Sequence, residues 1–289
     1  MSDHLWYEGE LGKTICVGAA LPDGYRRYTQ SEAYIRRECT AKKHYQFVGR
    51  PGAYGARWRY GPVAFEKYVA DEEPYIERRG WPRKIIWQRI CSNEQPSGWK
   101  LSETWTVPRL TGFVELDSGD MTRTWSAHAR RHLKTFHAAS TWRLEPVTYA
   151  EFLHSYRKTD KPYFIKRLFT HVLREKIQAH GVHVRLFGAR LDRPGAPLEA
   201  GLGVFDVPEI GQSVHLLSFI HPRAKMDSVG FGLMERWFLE SLNKSMKFLD
   251  FDTFWAPKDP VMWRGFSAFK SQFGTRFILH PPALTRWSF

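Results

Sequence analysis

Val214-His215-Leu216-Leu217-Ser218-Phe219-Ile220, then Asp227-Ser228-Val229-Gly230-Phe231-Gly232, then Phe248-Leu249-Asp250-Phe251-Asp252: these runs lie within one stretch, 214–273, and its reading decides the fold. The first run is apolar, of strand length, and suited to a half-buried pleated surface. Residues 221–232 read as a basic turn with two glycines, 233–244 as an amphipathic helix, and 247–254 as a strand ending in two aspartates. An aromatic and basic segment, 263–273, closes the stretch. A strand that runs into a glycine-bearing turn and then a helix directs backbone N–H groups at one point, where a phosphate or other anion can sit. The plainer alternative is a tight turn that uses glycine only for close packing.

Upstream of this stretch, alternating runs at 182–191 and 198–207 are joined by a Pro-Gly turn and lead into the strand at 214–220, which makes an antiparallel meander. Helical periodicity covers 149–157 and 163–180, with Gly181 as a C-terminal cap. Residues 110–116 and 142–147 read as strands. Between them Ser118-Gly119-Asp120 opens a helix carrying Arg123, His128, Arg130, Arg131, His132 and Lys134. Residues 1–110 form a first region rich in glycine, proline and aromatics. It has a short strand at 15–20, a helix at 31–39 capped by Ser31, strands at 45–48 and 56–60, and another at 84–90. Gly61-Pro62-Val63-Ala64 is expected to stop the strand before it and to be followed by a helix. The expected class is α+β, a mixed sheet with helices packed on it, in two lobes at 1–110 and 111–289.

The totals set outer limits. The 289 residues are 43% hydrophobic and 25% charged, which describes a globular chain with a substantial core. No apolar run approaches the roughly 20 residues that span a bilayer. The N-terminus lacks a basic start and an apolar run, so the expectation is a cytoplasmic protein with Cys16, Cys39 and Cys91 as reduced thiols. His128 and His132 stand four apart, but the glutamate of H-E-x-x-H is absent, and no metal site is expected. A net charge of +13 favours a polyanionic partner: nucleic acid, a nucleotide-linked substrate or an anionic headgroup. Peripheral membrane contact and oligomeric state stay open.

The order of helices, meander, strand, glycine turn, helix and strand resembles a GNAT-type acyltransferase core. The donor motif of that family is Arg or Gln, two residues, Gly, one residue, then Gly or Ala. Here Asp227 stands at the leading position, with Gly230 and Gly232 in place. The chain is more specifically similar to the Fem-type aminoacyl transferases and related acetyltransferases. Gln30-Ser31 with Tyr34, Tyr60-Gly61-Pro62-Val63, and Phe113 to Asp117 before the helix bearing Arg130-Arg131 are like that family's segments, in its order. So are Phe248 to Asp252 and Phe266-Ser267-Ala268-Phe269-Lys270-Ser271-Gln272-Phe273-Gly274. The resemblance implies two tandem GNAT-like lobes, the first one reduced. It also implies acyl or aminoacyl transfer to an amine, with acyl-CoA or aminoacyl-tRNA as co-substrate and no permanently bound cofactor.

Such a reaction needs a neutral nucleophile, a positioned carbonyl and donors for the oxyanion. The resemblance implies that the backbone of Leu217, Ser218 and Phe219 flanks the acyl group. Gly230, Phe231 and Gly232, with Arg223 and Lys225, would meet the donor's phosphates. It also implies that Lys270 stabilises the oxyanion with Phe269 beside it; otherwise Lys270 is a solvated charge and Phe269 a core residue. Asp250 and Asp252, two apart on a strand, could take the amine's proton or simply hydrogen-bond the following loop. Glu199 is a weaker base. Arg36 and Arg37, where the family holds its nucleotide-linked acceptor, and Arg130 and Arg131 are acceptor candidates; a helix charge pair is equally a solvated face. The other class of reading is a non-catalytic protein that keeps the fold and binds nucleic acid or an anionic surface.

Overall fold

A computed structural model describes residues 15–16, 21–22, 24–50, 53–70, 72–77, 80–90, 94–102, 110–117, 119–139, 141–255 and 264–289. Expectations at 17–20, Cys91, Ser118, Trp263 and the loop after Trp255 fall outside these residues. In chain order the described elements begin with β1 (Ile15–Cys16), α1 (Glu32–Ala41), β2 (Gln46–Arg50), β3 (Ala53–Tyr60), β4 (Val63–Ala70), β5 (Arg83–Arg89) and β6 (Lys100–Leu101). Next come β7 (Leu110–Glu115), α2 (Ala127–Ala139), β8 (Trp142–Pro146), α3 (Tyr149–Arg157), α4 (Tyr163–His180), β9 (Val184–Leu191) and β10 (Leu198–Val207). The chain continues through β11 (Gln212–Ile220), α5 (Pro222–Met226), α6 (Val229–Asn243), β12 (Phe248–Thr253), α7 (Arg264–Lys270), β13 (Arg276–Leu279) and β14 (Leu284–Ser288).

The chain divides into two units, each α/β with a mixed sheet. The first comprises Met1–Gly112, Thr253–Ala268 and Arg276–Phe289. Its six-stranded sheet runs β2-β3-β4-β5-β14-β6, with β4 and β5 parallel. Ser31 accepts the Tyr34 N–H at 3.3 Å and caps α1, as its residue type requires. The segment after Gly61-Pro62 is not a helix. Gly61 takes φ +59° and β4 returns antiparallel to β3, because Val63, Phe65, Tyr68 and Val69 are β-branched or aromatic and favour the pleat over the helix. A single cut near residue 110 does not describe the chain either. β14 pairs antiparallel with β5, Leu284 opposite Trp87, so the C-terminal strand belongs to the first unit.

The second unit comprises Phe113–Asp252 and Phe269–Thr275, and its sheet runs β7-β12-β11-β10-β9-β8. The meander β9-β10-β11 is antiparallel and β12 runs parallel to β11. A reciprocal pair, Thr148 with Glu151, caps α3, and Gly181 at φ +49° ends α4. Phe152, Tyr156, Leu173, Leu217 and Phe219 form one core cluster. Trp237 and Phe238 of α6 pack with Phe251 and Phe273 in another, where full burial of each large side chain contributes roughly 1.5–3 kcal/mol. Buried Arg185 on β9 bonds Asp206 at 2.7 Å, Ser213 at 2.9 Å and Ser241 at 3.0 Å, which ties the C-terminal turn of α6 to three strands.

Candidate active site

The site begins with a defect in pairing. β10 and β11 pair in register from Val204 opposite His215, but on the other side of a bulge Gly203 stands opposite Leu217 and Leu216 is skipped. Such a bulge bends the strand that carries it. β12 matches β11 over three pairs only, Gln212 with Phe248, Ser213 with Leu249 and Val214 with Asp250. Beyond Val214 β11 pairs with β10 and no longer with β12, so the two strands part next to the bulge.

Two lysines mark the two lips of this parting. Lys270, at the end of α7, is buried, and its Nζ donates to the carbonyl oxygen of Phe251 on β12 at 2.6 Å. Burial lowers its pKa from 10.5 to about 8, against the pull of Asp252 and Asp250, so the ammonium persists at neutral pH. Lys161, just before α4, donates to the carbonyl oxygen of Ser218 on β11 at 3.3 Å, and burial lowers its pKa too. Both charges act on His215. Burial, then Lys270, then Lys161 hold it well below 6.5 and therefore neutral. Its Nε2 lies 3.3 Å from Ser218 Oγ. Residues three apart point to opposite faces of a regular strand, and the bulge between them is what brings His215 and Ser218 to one face.

The other expected residues fall in several places. Leu217 and Phe219 turn their side chains into the core cluster, which leaves their backbone and the exposed Ser218 toward the opposite face. Asp250 is fully buried and accepts the N–H of Asp252 at 2.6 Å. Asp252 takes φ +56°, which ends the alternation that would have put the two carboxylates side by side. Phe269 packs on Phe231 at 5.2 Å and on Phe273 at 5.1 Å.

The glycines are not in a turn. Residues 221–228 hold the short helix α5 and a left-handed Ser228 at φ +60°, and α6 begins at Val229, so Gly230 and Gly232 lie inside the helix. A Cβ on Gly232 would stand 2.4 Å from the ring of Phe136, so this glycine lets α2 and α6 pack closely. A Cβ on Gly230 would meet nothing nearer than 3.6 Å. The N–H of Phe231 donates to Ser228 O at 3.0 Å, and the Phe231 ring stacks on His132 at 5.0 Å. Asp227, in the family's Arg or Gln position, accepts the indole N–H of Trp142 at 2.9 Å.

Arg223 and Lys225 are exposed on α5, and Arg223 lines a cavity of about 740 Å³ with Lys158, Arg190, Glu199 and His221. Arg36 pairs with Glu32 at 2.6 Å and lies over the Phe47 ring at 3.7 Å, while Arg37 is half-buried on the same helix of the first unit. Arg130 donates to the carbonyls of Trp125 and Arg123 and so closes a turn, whereas Arg131 is exposed. Sequence reasoning missed His215 and Lys161. A histidine inside an apolar strand was a signal that could have found the first; Asp160-Lys161-Pro162 carries none for the second.

No group of three or more His, Cys, Asp or Glu able to hold a metal occurs among the described residues, and no helix among them is long and apolar enough to cross a membrane. No protein-family model matches the chain, and no curated protein matches it in sequence. Solved structures do match. The structure of FemX superposes with a TM-score of 0.64 at 11% identity, over 90% of this chain and 96% of that one. The C-terminal domain of a putative lysylphosphatidylglycerol synthetase from Agrobacterium fabrum gives 0.52 at 11% identity, over 98% and 92%. A tandem GNAT protein from the clavulanic acid biosynthesis pathway gives 0.50 at 14% identity, over 94% and 91%. Identities this low bear on the fold alone, and the fold they establish for this chain is a Fem-like GNAT fold.

Proposed function

We propose that the chain transfers an acyl or aminoacyl group to an amine, with the acyl carbonyl seated where β11 and β12 part. The observation that carries this reading is Lys270. An ammonium kept out of water, and fixed on the carbonyl of Phe251 beside the parted strands, is a preorganised donor for an oxyanion. The backbone of Leu217 to Phe219 supplies the other wall. Arg223 and Lys225 on α5 take the donor's phosphates in this proposal, and the N-terminus of α6 at Val229 and Gly230 adds its dipole. Arg131 is the acceptor-side or RNA-side contact of the second unit. Aminoacyl-tRNA and acyl-CoA are the two donors, an anionic or nucleotide-linked amine is the acceptor, and the reaction belongs in the cytoplasm, where both donors are made.

A transfer assay with alanyl-tRNA, run beside one with acetyl-CoA and each with a UDP-linked muropeptide as acceptor, tests the reading. The wild type should transfer from one of the two and Lys270→Met should not. The other reading, a polyanion-binding protein that keeps the fold, draws on the +13 charge and on α4, which exposes Tyr163, Phe164, Arg167 and Leu168. Tight binding of either donor without turnover would favour it.

A further inference from the structure

The transfer reaction needs a group that removes a proton from nitrogen, and Asp250 is not placed for it, being fully buried and bonded to the N–H of Asp252 on its own strand. We propose that His215 accepts the proton of the attacking amine, from its place beside Ser218 on the bulged β11, where β11 and β12 part. The inference rests on the acyl-transfer reading above.

Three features of the geometry lead to it. The bulge at Leu216 turns His215 to the face on which Ser218 is exposed, so the imidazole stands at the opening of the strands and not in the core with Leu217 and Phe219. The Ser218 hydroxyl lies at 3.3 Å and the Trp237 ring of α6 at 6.3 Å, and the charges that act on the imidazole are those of Lys270 and Lys161. The carboxylates of Asp250 and Asp252 act on Lys270. An imidazole in that setting keeps a lone pair on one nitrogen through the neutral range, as a general base must. The same two ammoniums would repel a charged ammonium substrate and favour the neutral amine.

The step balances without a further reactant. The amine nitrogen's lone pair forms the C–N bond as the carbonyl π pair moves to oxygen beside Lys270. His215 takes one proton from that nitrogen. Collapse of the oxyanion breaks the C–S bond of a thioester or the C–O bond of an ester, and the leaving sulfur or oxygen keeps the electron pair and receives the proton from the imidazolium. The amide and a free thiol or hydroxyl result, and His215 is neutral again.

The test uses His215→Gln, and His215→Asn as a second variant, each with a melting curve to show a folded chain. Donors are alanyl-tRNA and acetyl-CoA; acceptors are a UDP-linked muropeptide with an alkyl amine, and hydroxylamine, which is neutral at pH 7 and loses its proton easily. With the muropeptide, kcat should fall on the order of a hundredfold or more with KM unchanged, since a general base contributes about that much. With hydroxylamine the loss should be within about threefold, a split that general damage to the site does not produce. Equal losses on both acceptors, or a full rate on both, would overturn His215 as the base while leaving acyl transfer standing. A wild type that transfers from neither donor would overturn both. Histidine-ring NMR gives a reading free of activity: Lys270→Met should move the titration of His215 upward, and no movement counts against the arrangement.

Discussion

Lys270 and Phe251 are joined by a 2.6 Å hydrogen bond, ammonium to backbone carbonyl, just past the last residue pair between β11 and β12. The bond holds a charge in the interior at a point where the sheet has stopped pairing, and the lowered pKa of about 8 records the cost of keeping it there.

That cost separates function from stability. A fall from 10.5 to about 8 corresponds to roughly 3 kcal/mol against the folded state at neutral pH. Lys270→Met is therefore expected to melt no lower than the wild type while turning over at least about a hundredfold more slowly. Lys270→Arg keeps a charge but not its shape and should not restore the rate. Thermal melts and initial rates on the same preparations check both halves; full activity in the Met variant would remove Lys270 from the chemistry.

The two glycines of α6 should answer substitution differently. Alanine at 232 puts a methyl into the Phe136 ring, and such overpacking typically costs about 1–3 kcal/mol. At 230 the added carbon meets ordinary contacts, so Gly230→Ala should hold or gain up to about 1 kcal/mol from helix propensity. Urea midpoints measure both. Donor affinity by calorimetry on Gly230→Ala then examines the helix N-terminus in a chain that still folds.

Arg130 and Arg131 are neighbours in sequence with different surroundings. Arg131→Ala should lower the salt slope of tRNA binding by about 0.7 to 0.9 log units per log of salt, the loss of one phosphate contact. Arg130→Ala should leave that slope alone and lower the melting temperature, because its guanidinium closes the turn before α2. Equal slopes in all three proteins would show that the basic surplus does not act through this helix.

Acid should loosen the chain earlier than carboxylates alone would. His215 is held well below 6.5 by burial and the two lysines. His280 is held there by burial and Arg27, with its Nε2 2.6 Å from Thr111 Oγ1. In both cases the unfolded chain takes the proton first, so the full stability exists above about pH 6.5 and declines as pH falls below it. Urea midpoints between pH 7.5 and 5 should drop, and the drop should be smaller in His215→Gln and His280→Gln. A flat wild-type profile across that window would contradict the burial of both rings.

The order of elements was legible in the residues because it follows from local patterns. The period of the apolar positions marks α3 and α4 to the residue, Ser31 and Gly181 stand at the helix ends they cap, and the turn before Leu198 separates β9 from β10. The likeness to a Fem-type GNAT core rested on that order and on short motifs, and the fold agrees with it. What the residues could not state is which far-apart groups meet. β14 pairs with β5 across about 200 positions, a contact with no local signature. That Gly232 lets two helices pack closely shows only once Phe136, nearly a hundred residues earlier, is placed against it. His215 reads as a stray polar residue in an apolar strand until one skipped residue, Leu216, turns it to the face of Ser218. A strand's period of two makes its pattern visible in sequence, whereas a bulge is a mismatch between two strands and exists only once both are paired.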